Sequence, residues 1–286
     1  MTALPIEGPT VETIVATRFA LDGGAMFGVV PRVLWERVAA PDGKHRIALA
    51  ARVLLVQDRA RGICALVDCG LGDKWSAKER GIYAIDGDDG LAVALAARGL
   101  GADDVTDVVL THLHWDHAGG VTRLDADRLV LAFPRARHHV SRAHLDDVAR
   151  ASPKDAGSFL PDDVALLRAS GKLEVHDAWG QWLPGIEARR SDGHATGLAV
   201  VHVGASAGPR AVFPADLVPT AAHVRTAWVM AYDNAPRASA TEKAELLTEC
   251  ARRQDVVVFE HDPVIAAATV SPSQRGELAV TPIETD

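Results

Sequence analysis

Residues 107–120 read DVVLTHLHWDHAGG, and this stretch decides how the rest of the chain is interpreted. Its first five residues are mostly apolar or β-branched, which is typical of a short buried strand. Directly after them come His112, His114, Asp116 and His117, four side chains that can bind metal within six positions. Imidazole and carboxylate together suit zinc and similar divalent ions, so the segment predicts a metal-binding loop at a strand end.

The spacing within this loop is compatible with two ions. In an irregular loop, His112 and His114 can point to one ion while Asp116 and His117 reach a second one. The two glycines that follow are expected to let the backbone turn sharply. The alternative, four polar residues in a solvated loop, is disfavoured because the flanking residues are apolar.

The composition is that of an ordinary soluble globular protein. The chain has 286 residues, of which 48% are apolar, so it can build a full hydrophobic core. Lys and Arg number 30 against 38 Asp and Glu, which gives a net charge of −8. Such a surface repels phosphate backbones and anionic lipid, so neither nucleic acid nor a membrane is an expected partner.

The cysteines and the N-terminal region indicate a cytoplasmic protein. Cys64, Cys69 and Cys250 are odd in number and lack C-x-x-C spacing, which argues against a disulfide framework or a thiolate metal site. No basic segment followed by an apolar run marks a secretion signal near Met1. The most apolar stretch, residues 47–56, is far too short to span a bilayer.

Strands and helices are expected in two similar halves. A helix is expected over residues 91–95 after the acidic pair Asp88 and Asp89, and another where Ser239-x-x-Glu242 has the capping-box form. Short runs rich in β-branched residues predict strands at residues 13–19, 46–56, 62–68, 107–111, 198–203, 210–214 and 256–259.

Two strand-then-helix halves predict two sheets packed face to face with helices outside. No repeat, low-complexity tract or linker interrupts residues 1–286, which predicts a single domain. Residues 141–170 are rich in Ala, Asp, Arg and Leu and are punctuated by Pro153 and Pro161. We expect them to form a helical insertion over the site.

The loop sequence Thr-His-x-His-x-Asp-His after a buried strand resembles the signature of the metallo-β-lactamase superfamily. Four further stretches are similar to motifs of that family: Asp68-Cys69-Gly70, Gly193-His194-Ala195-Thr196-Gly197, Phe213-Pro214-Ala215-Asp216, and His261. One departure is Ala195-Thr196, where the family often has Thr-Pro or Ser-Pro. The resemblance implies an α/β (α+β) fold, the four-layer αβ/βα sandwich.

The resemblance also implies a ligand set. It assigns one ion to His112, His114 and His194, the other to Asp116, His117 and His261, and Asp216 to both. Asp68 resembles the family's supporting carboxylate, which holds the far nitrogen of a ligand histidine. Taken alone, a histidine such as His194 or His261 is more often a hydrogen-bonded histidine than a metal ligand, and Asp216 alone would be a turn residue. For Asp68 the supporting role is favoured over that of a turn aspartate.

The activity that the resemblance implies is hydrolysis with two divalent metal ions. Zinc is expected, with manganese, iron and cobalt as alternatives. A hydroxide that bridges the metals attacks an ester, lactone or phosphotriester, with Asp116 and Asp216 as the catalytic carboxylates. The chain has no P-loop and no G-x-G-x-x-G after a strand, which excludes those two nucleotide-binding chemistries.

Among dinuclear members, the chain looks most like the lactonase and methyl-parathion-hydrolase branch. The typical lactonase tyrosine after the bridging aspartate is missing, because Pro219 occupies its place, but Tyr232 lies further on. His223 follows small residues and is a candidate to face the metals and assist catalysis. The remaining candidate pocket residues are Met26 and Phe27 in a glycine-framed hairpin tip, Trp115, Phe159 and Trp228; core packing is the alternative for each.

A pocket of this kind suits a small uncharged ester-like substrate. Relatives in the branch are often dimers, so the resemblance implies a homodimer. Alternatives are a thioesterase or β-lactam hydrolase of the same fold, or a catalytically silent metal-binding protein. A glutathione thioesterase would need basic residues to grip a carboxylate, and no such cluster is visible in the sequence.

Overall fold

The structure is a computed structural model that describes residues 3–87, 90–273 and 278–285. Each strand expected from the sequence is present. The strands, in chain order, are β1 (Thr10–Asp22), β2 (Arg46–Asp58), β3 (Ile63–Val67), β4 (Asp107–Val109), β5 (Thr122–Asp125), β6 (Arg128–Leu131), β7 (Arg137–Ser141), β8 (Leu173–His176), β9 (Gly180–Leu183), β10 (Ile186–Ser191), β11 (Leu198–Val203), β12 (Ala211–Phe213), β13 (Val256–Val258), β14 (Ala267–Pro272) and β15 (Leu278–Ile283).

The helices are mostly short. They are α1 (Gly23–Phe27), α2 (Arg32–Trp35), α3 (Ala77–Tyr83), α4 (Gly90–Ala96), α5 (Trp115–Ala118), α6 (Arg142–Val148), α7 (Pro161–Ala169) and α8 (Pro236–Arg253). Single turns of 3₁₀ helix occur at Ala102–Asp104, Gly119–Val121, Ala156–Ser158, Ala215–Leu217 and Ala221–Val224. Among the described residues, none of these helices has the length and apolar composition that a membrane crossing requires.

The strands form two large sheets and one hairpin. The first sheet has the order β1-β2-β3-β4-β7-β8 and the second has the order β15-β14-β13-β12-β11-β10-β9, while β5 and β6 pair by themselves. β3, β4, β7 and β8 run parallel to one another in the first sheet, whereas β1, β2 and β3 are joined by antiparallel pairings. In the second sheet β12 and β13 are parallel. The carboxyl ends of parallel strands open at one edge, where loops gather.

Alternating side chains of the first sheet enter two different cores. Leu54 and Val56 of β2 pack toward the second sheet, whereas Val53 and Leu55 pack against α4, α6 and α7 on the opposite face. This alternation follows from the two-residue period of a strand. The second sheet is covered outside by α8, which contributes Leu247 to the core. The result is the αβ/βα sandwich expected from the sequence.

Two local expectations are corrected by the structure, and a third concerns residues that it does not describe. α8 begins at Pro236, so Ser239 is inside the helix and does not form an N-cap; proline suits that first position because it lacks an N–H to satisfy. Glu242 instead accepts a hydrogen bond from Ser191 Oγ at 2.6 Å. Met26 and Phe27 lie in α1 and not in a hairpin tip. The acidic pair at 88–89 lies outside the described residues.

The three cysteines are buried and form no disulfide in the described chain. Burial raises the pKa of the Cys69 thiol well above its ordinary value. These thiols therefore belong to the packed interior, and the metal-binding groups must be sought among histidines and carboxylates.

Candidate metal centre

The seven histidines and aspartates assigned by resemblance lie together at one edge of the sandwich. His112 and His114 follow β4, and His194 follows β10, while Asp216 and His261 come after the parallel strands β12 and β13. Asp116 and His117 lie on α5, a single helical turn and not the irregular loop that was expected. Because these strands end at a common edge, residues up to 149 positions apart (His112 to His261) enter one cluster.

The first group consists of His112, His114, His194 and Asp216, all buried. His112 Nε2 lies 3.0 Å from His114 Nδ1, and His194 Nε2 lies 3.1 Å from the same atom. Asp216 Oδ2 is 3.1 Å from His194 Nε2. Three ring nitrogens and a carboxylate oxygen thus surround one point.

The second group consists of Asp116, His117 and His261. His117 Nε2 and His261 Nε2 are 3.2 Å apart, and Asp116 Oδ2 lies 3.6 Å from His261 Nε2. Asp216 also reaches this group, because its Oδ1 is 3.0 Å from His261 Nε2. Asp216 Oδ2, which faces the first group, also lies 3.4 Å from His117 Nε2, so the carboxylate stands between the two groups.

Hydrogen bonds on the outer ring nitrogens determine where the protons are. His194 Nδ1 lies 3.0 Å from Asp233 Oδ1, and His261 Nδ1 lies 2.8 Å from the carbonyl oxygen of Ala50. These oxygens only accept, so each Nδ1 carries the proton and donates. In the neutral form of each ring, Nε2 is then the unprotonated nitrogen, and it points into the cluster.

The same argument holds for His112 and His117. The Thr111 hydroxyl donates to Asp68 Oδ2 at 2.7 Å, so its oxygen accepts from His112 Nδ1 at 3.1 Å. His117 Nδ1 donates to Asp68 at 3.1 Å. Asp68 thus occupies the position expected of a supporting carboxylate.

These lone pairs fit a cation. Two unprotonated ring nitrogens 3.0–3.2 Å apart repel each other, whereas two ligands of a tetrahedral zinc at about 2.0–2.1 Å are about 3.3 Å apart. His114 Nε2 and Asp216 Oδ1 are also buried without a hydrogen-bond partner among the described residues. The donor set, imidazole and carboxylate, is the one that zinc and related divalent ions prefer.

The electrostatics of the first group favour neutral imidazole. Burial, together with the neighbouring rings, holds the pKa of His112 and of His114 well below the ordinary value. Burial opposes the ionisation of Asp216, but His194, His117 and His261 outweigh it and keep the pKa of that carboxyl well below its ordinary value. In the second group, the neighbouring carboxylates outweigh burial and raise the pKa of His117 well above its ordinary value and that of His261 to about 9. A divalent ion would displace these protons, because it binds neutral imidazole and ionised carboxylate.

Two supporting carboxylates were missed in the sequence. Asp233 holds His194, and its Oδ2 accepts from the Met230 N–H at 3.2 Å. Glu260 Oε2 lies 2.9 Å from His117 Nδ1, but only the Asp68 contact has hydrogen-bond geometry. Burial raises the pKa of Glu260 to about 8. Position next to a ligand histidine is the only sequence signal that pointed to Glu260.

The glycines after the ligand loop lie in a single 3₁₀ turn and also allow close packing. A Cβ atom on Gly120 would lie 2.2 Å from the Cys69 carbonyl oxygen, and one on Gly119 would lie 2.4 Å from the Leu71 carbonyl oxygen. Neither glycine has a positive φ. The backbone after Asp68 passes directly against them, which brings the supporting carboxylate to His117.

A cavity of about 200 Å³ opens above the ligands. Three of the predicted pocket residues line it, namely Met26, Trp115 and Tyr232. The complete lining is Leu21, Met26, Tyr83, His114, Trp115, Asp116, Gly157, Ser158, His194, Asp216, Tyr232 and His261. Tyr83 was not identified from the sequence; it packs on Trp115 with ring centres 4.7 Å apart.

The other three predicted pocket residues lie behind the cavity wall. Phe159 packs on the His114 ring with centres 5.1 Å apart and is buried. Phe27 stacks on Trp35 and meets Trp228 edge to face at 5.6 Å. These side chains pack behind the wall of the cavity, as the core-packing alternative predicts.

The imidazole of His223 does not face the metal centre, contrary to the expectation. It is fully buried, with Nε2 donating to the Met26 carbonyl at 2.9 Å and Nδ1 accepting from the Thr220 hydroxyl at 2.7 Å. Its ring is parallel to Phe27 at 4.9 Å. Burial lowers the pKa of His223 to about 4. Both nitrogens are engaged by the scaffold, so none is left for a substrate.

Comparisons with known proteins agree with this fold and site. Residues 48–261 match the model of the metallo-β-lactamase superfamily, which covers more than half of the chain. The chain therefore belongs to the metallo-β-lactamase superfamily. Its histidines and aspartates form groups whose ligand atoms lie close enough together to hold a metal ion. The comparison with curated proteins found no match.

Several solved structures share the whole fold. A probable metal-dependent hydrolase from Staphylococcus aureus is 27% identical, with a TM-score of 0.89 over 99% of this chain and 100% of that one. AidC, a dizinc quorum-quenching lactonase solved with a product, is 19% identical with a TM-score of 0.79, and AbOPH, a hydrolase in the β-lactamase superfamily, is 17% identical with 0.80. The last two alignments each cover 99% of this chain and 97% of the other, and at such identities they concern the fold.

Proposed function

We propose that the protein is a dinuclear metal-dependent hydrolase of a small uncharged ester, lactone or phosphotriester. The observation that carries the proposal is the position of Asp216, with one carboxylate oxygen 3.1 Å from His194 and the other 3.0 Å from His261. A carboxylate between two histidine groups is suited to hold two ions side by side.

The bound metals and the side chains of the protein have different roles in the proposed reaction. When two divalent ions are bound, with zinc expected, they supply Lewis acidity that acidifies water near neutral pH and polarises a substrate oxygen. Asp216 holds the two ligand groups next to each other, because it contacts a histidine of each. Asp116, which lines the cavity, is the carboxylate available to accept a proton and return it to the leaving group.

The cavity favours an uncharged substrate. Its described lining contains the carboxylates of Asp116 and Asp216 but no lysine or arginine. Away from the metal ligands, a carboxylate or phosphate monoester would find no lysine or arginine as counter-charge, whereas Leu21, Met26 and Trp115 offer apolar surface to a neutral group. The same lining argues against a thioesterase that grips glutathione. Lactonases among the fold relatives support a lactone as one candidate class.

We further propose that residues 141–170 act as an insertion that closes the site within a single domain. Gly157 and Ser158 line the cavity, and Phe159 forms a β-bridge with His114. Lys154 Nζ donates to the Tyr232 carbonyl at 2.7 Å, which ties the insertion to the loop that carries Tyr232.

The proposal is tested with zinc-loaded protein and four matched substrates. These are a neutral aryl ester, a γ-lactone, a phosphotriester and the corresponding phosphate monoester. We expect turnover of at least one neutral substrate, at least 100-fold faster than that of the monoester, and loss of that turnover in Asp216→Ala. Equal or faster hydrolysis of the monoester would overturn the substrate class, and an inactive protein with two bound ions would overturn the enzymatic function.

A further inference from the structure

His144 is a buried histidine outside the ligand set that lies between two ligand loops. It follows β7 in the first turn of α6 and is fully buried. Its Nε2 is 2.9 Å from the backbone N–H of Leu113, and its Nδ1 is 3.0 Å from the Thr196 carbonyl oxygen. Leu113 lies between ligands His112 and His114.

The two contacts fix both the tautomer and the orientation of the ring. The Leu113 N–H can only donate, so Nε2 accepts, and the Thr196 carbonyl can only accept, so Nδ1 carries the proton. The neutral ring is thus fully satisfied. Burial lowers the pKa of His144 to about 4, which agrees with this neutral form.

The same helix start holds the second loop at another point. Ser141 Oγ donates to the Gly197 carbonyl at 2.7 Å and accepts from the His144 N–H at 3.1 Å. A Cβ atom on Gly197 would lie 2.7 Å from the backbone nitrogen of His144. The loop that carries His194 therefore packs against α6 with no space between them. α6 therefore provides a rigid support under this loop.

We propose that His144 is a positioning residue that fixes the distance between the His112–His114 loop and the His194 loop, and so determines the affinity of the first metal subsite. The inference rests on the proposed dinuclear function. The three histidine ligands of the first subsite lie on two loops, and 80 residues of chain separate His114 on one from His194 on the other. His117 and His261 of the second subsite are held by Asp68 and the Ala50 carbonyl, which His144 does not contact.

The test separates the two subsites by removing one ligand from the other. In a His261→Ala background the first subsite keeps its histidines, and in a His194→Ala background the second subsite does. Zinc affinity is measured in each background by competition with a chromophoric chelator, with and without His144→Ala. We expect His144→Ala to weaken zinc binding at least tenfold in the His261→Ala background and less than threefold in the other.

His139→Ala serves as the matched control. His139 is also buried, lies on β7 next to α6, and makes two side-chain contacts of 2.9 Å, to Asp107 and His176. It touches neither ligand loop through these contacts. We expect it to lower the stability of the fold while leaving zinc affinity in both backgrounds within threefold.

Conservative variants keep the proposal testable if His144→Ala does not fold. His144→Gln retains an acceptor for the Leu113 N–H, and His144→Asn retains a donor for the Thr196 carbonyl. Each should recover part of the lost first-subsite affinity.

Equal effects of His144 substitution in the two backgrounds, or an effect no larger than that of His139→Ala, would overturn the positioning role. A parent protein that binds two ions and hydrolyses a neutral substrate would leave the proposed function standing in that case. A parent protein that binds only one ion would instead overturn the dinuclear function itself.

Discussion

His223→Gln tests the conclusion that this imidazole belongs to the scaffold. The wild-type ring is neutral in the folded protein because burial lowers the pKa of His223 to about 4 from an ordinary value of 6.5. Glutamine does not titrate, and its amide can still donate to the Met26 carbonyl, the acceptor that His223 Nε2 uses at 2.9 Å. The substitution therefore removes the proton uptake with little change in volume.

The sign of the pH effect follows from the depressed pKa. Between pH 6.5 and pH 4 the unfolded chain binds a proton on this histidine and the folded chain does not, so lowering the pH favours unfolding. A folded pKa of about 4 and an unfolded value of 6.5 give a loss of about 2 kcal/mol between pH 7 and pH 5. Between pH 7 and pH 5, the free energy of unfolding of His223→Gln should therefore fall by about 2 kcal/mol less than that of the wild type.

The assay is urea unfolding of both proteins at pH 7 and pH 5, with the free energy of unfolding extrapolated to zero denaturant. Other buried histidines, including His138 with a pKa lowered to about 4 by burial, add the same pH dependence to both proteins and cancel in the difference. Thr220→Val is the control, since it removes the hydroxyl partner and keeps the ring that titrates. Identical losses in wild type and His223→Gln would refute the buried neutral histidine.

Four further outcomes are expected. Elemental analysis of zinc-loaded protein should give close to two ions per chain; one ion at saturation would contradict the paired subsites. Asp216→Ala should lower kcat at least 100-fold, roughly 3 kcal/mol, because the carboxylate lies against histidines of both subsites; a near wild-type rate at full metal content would exclude bridging. Asp233→Asn should weaken zinc binding about tenfold in chelator competition, since the carboxylate that orients His194 loses its charge, and unchanged affinity would remove Asp233 from the site. Gly120→Ala should cost about 3 kcal/mol in urea unfolding because its Cβ would meet a carbonyl oxygen at 2.2 Å, whereas Gly43→Ala, which meets nothing within 4 Å, should be nearly neutral; equal effects would refute the close approach.

The sequence by itself determined the family, the two-sheet architecture and the identity of the clustered histidines and aspartates. Only a few residue types can serve as metal ligands. In this chain they follow buried strands whose apolar runs can be recognised in the sequence, as at His112 after β4 and His261 after β13. Alternation within strands likewise follows from local geometry, so the sheets could be predicted without knowledge of their partners.

Tertiary structure alone decided which groups support the ligands and which side chains reach the cavity. Asp233 meets His194 across 39 residues, His144 meets Leu113 across 31, and His223 meets the Met26 carbonyl across 197. No spacing rule links such positions. A histidine among small residues gives the same sequence pattern whether its ring faces a metal or a backbone carbonyl. The orientation of the ring depends on which distant segment packs against it and forms hydrogen bonds with its nitrogens.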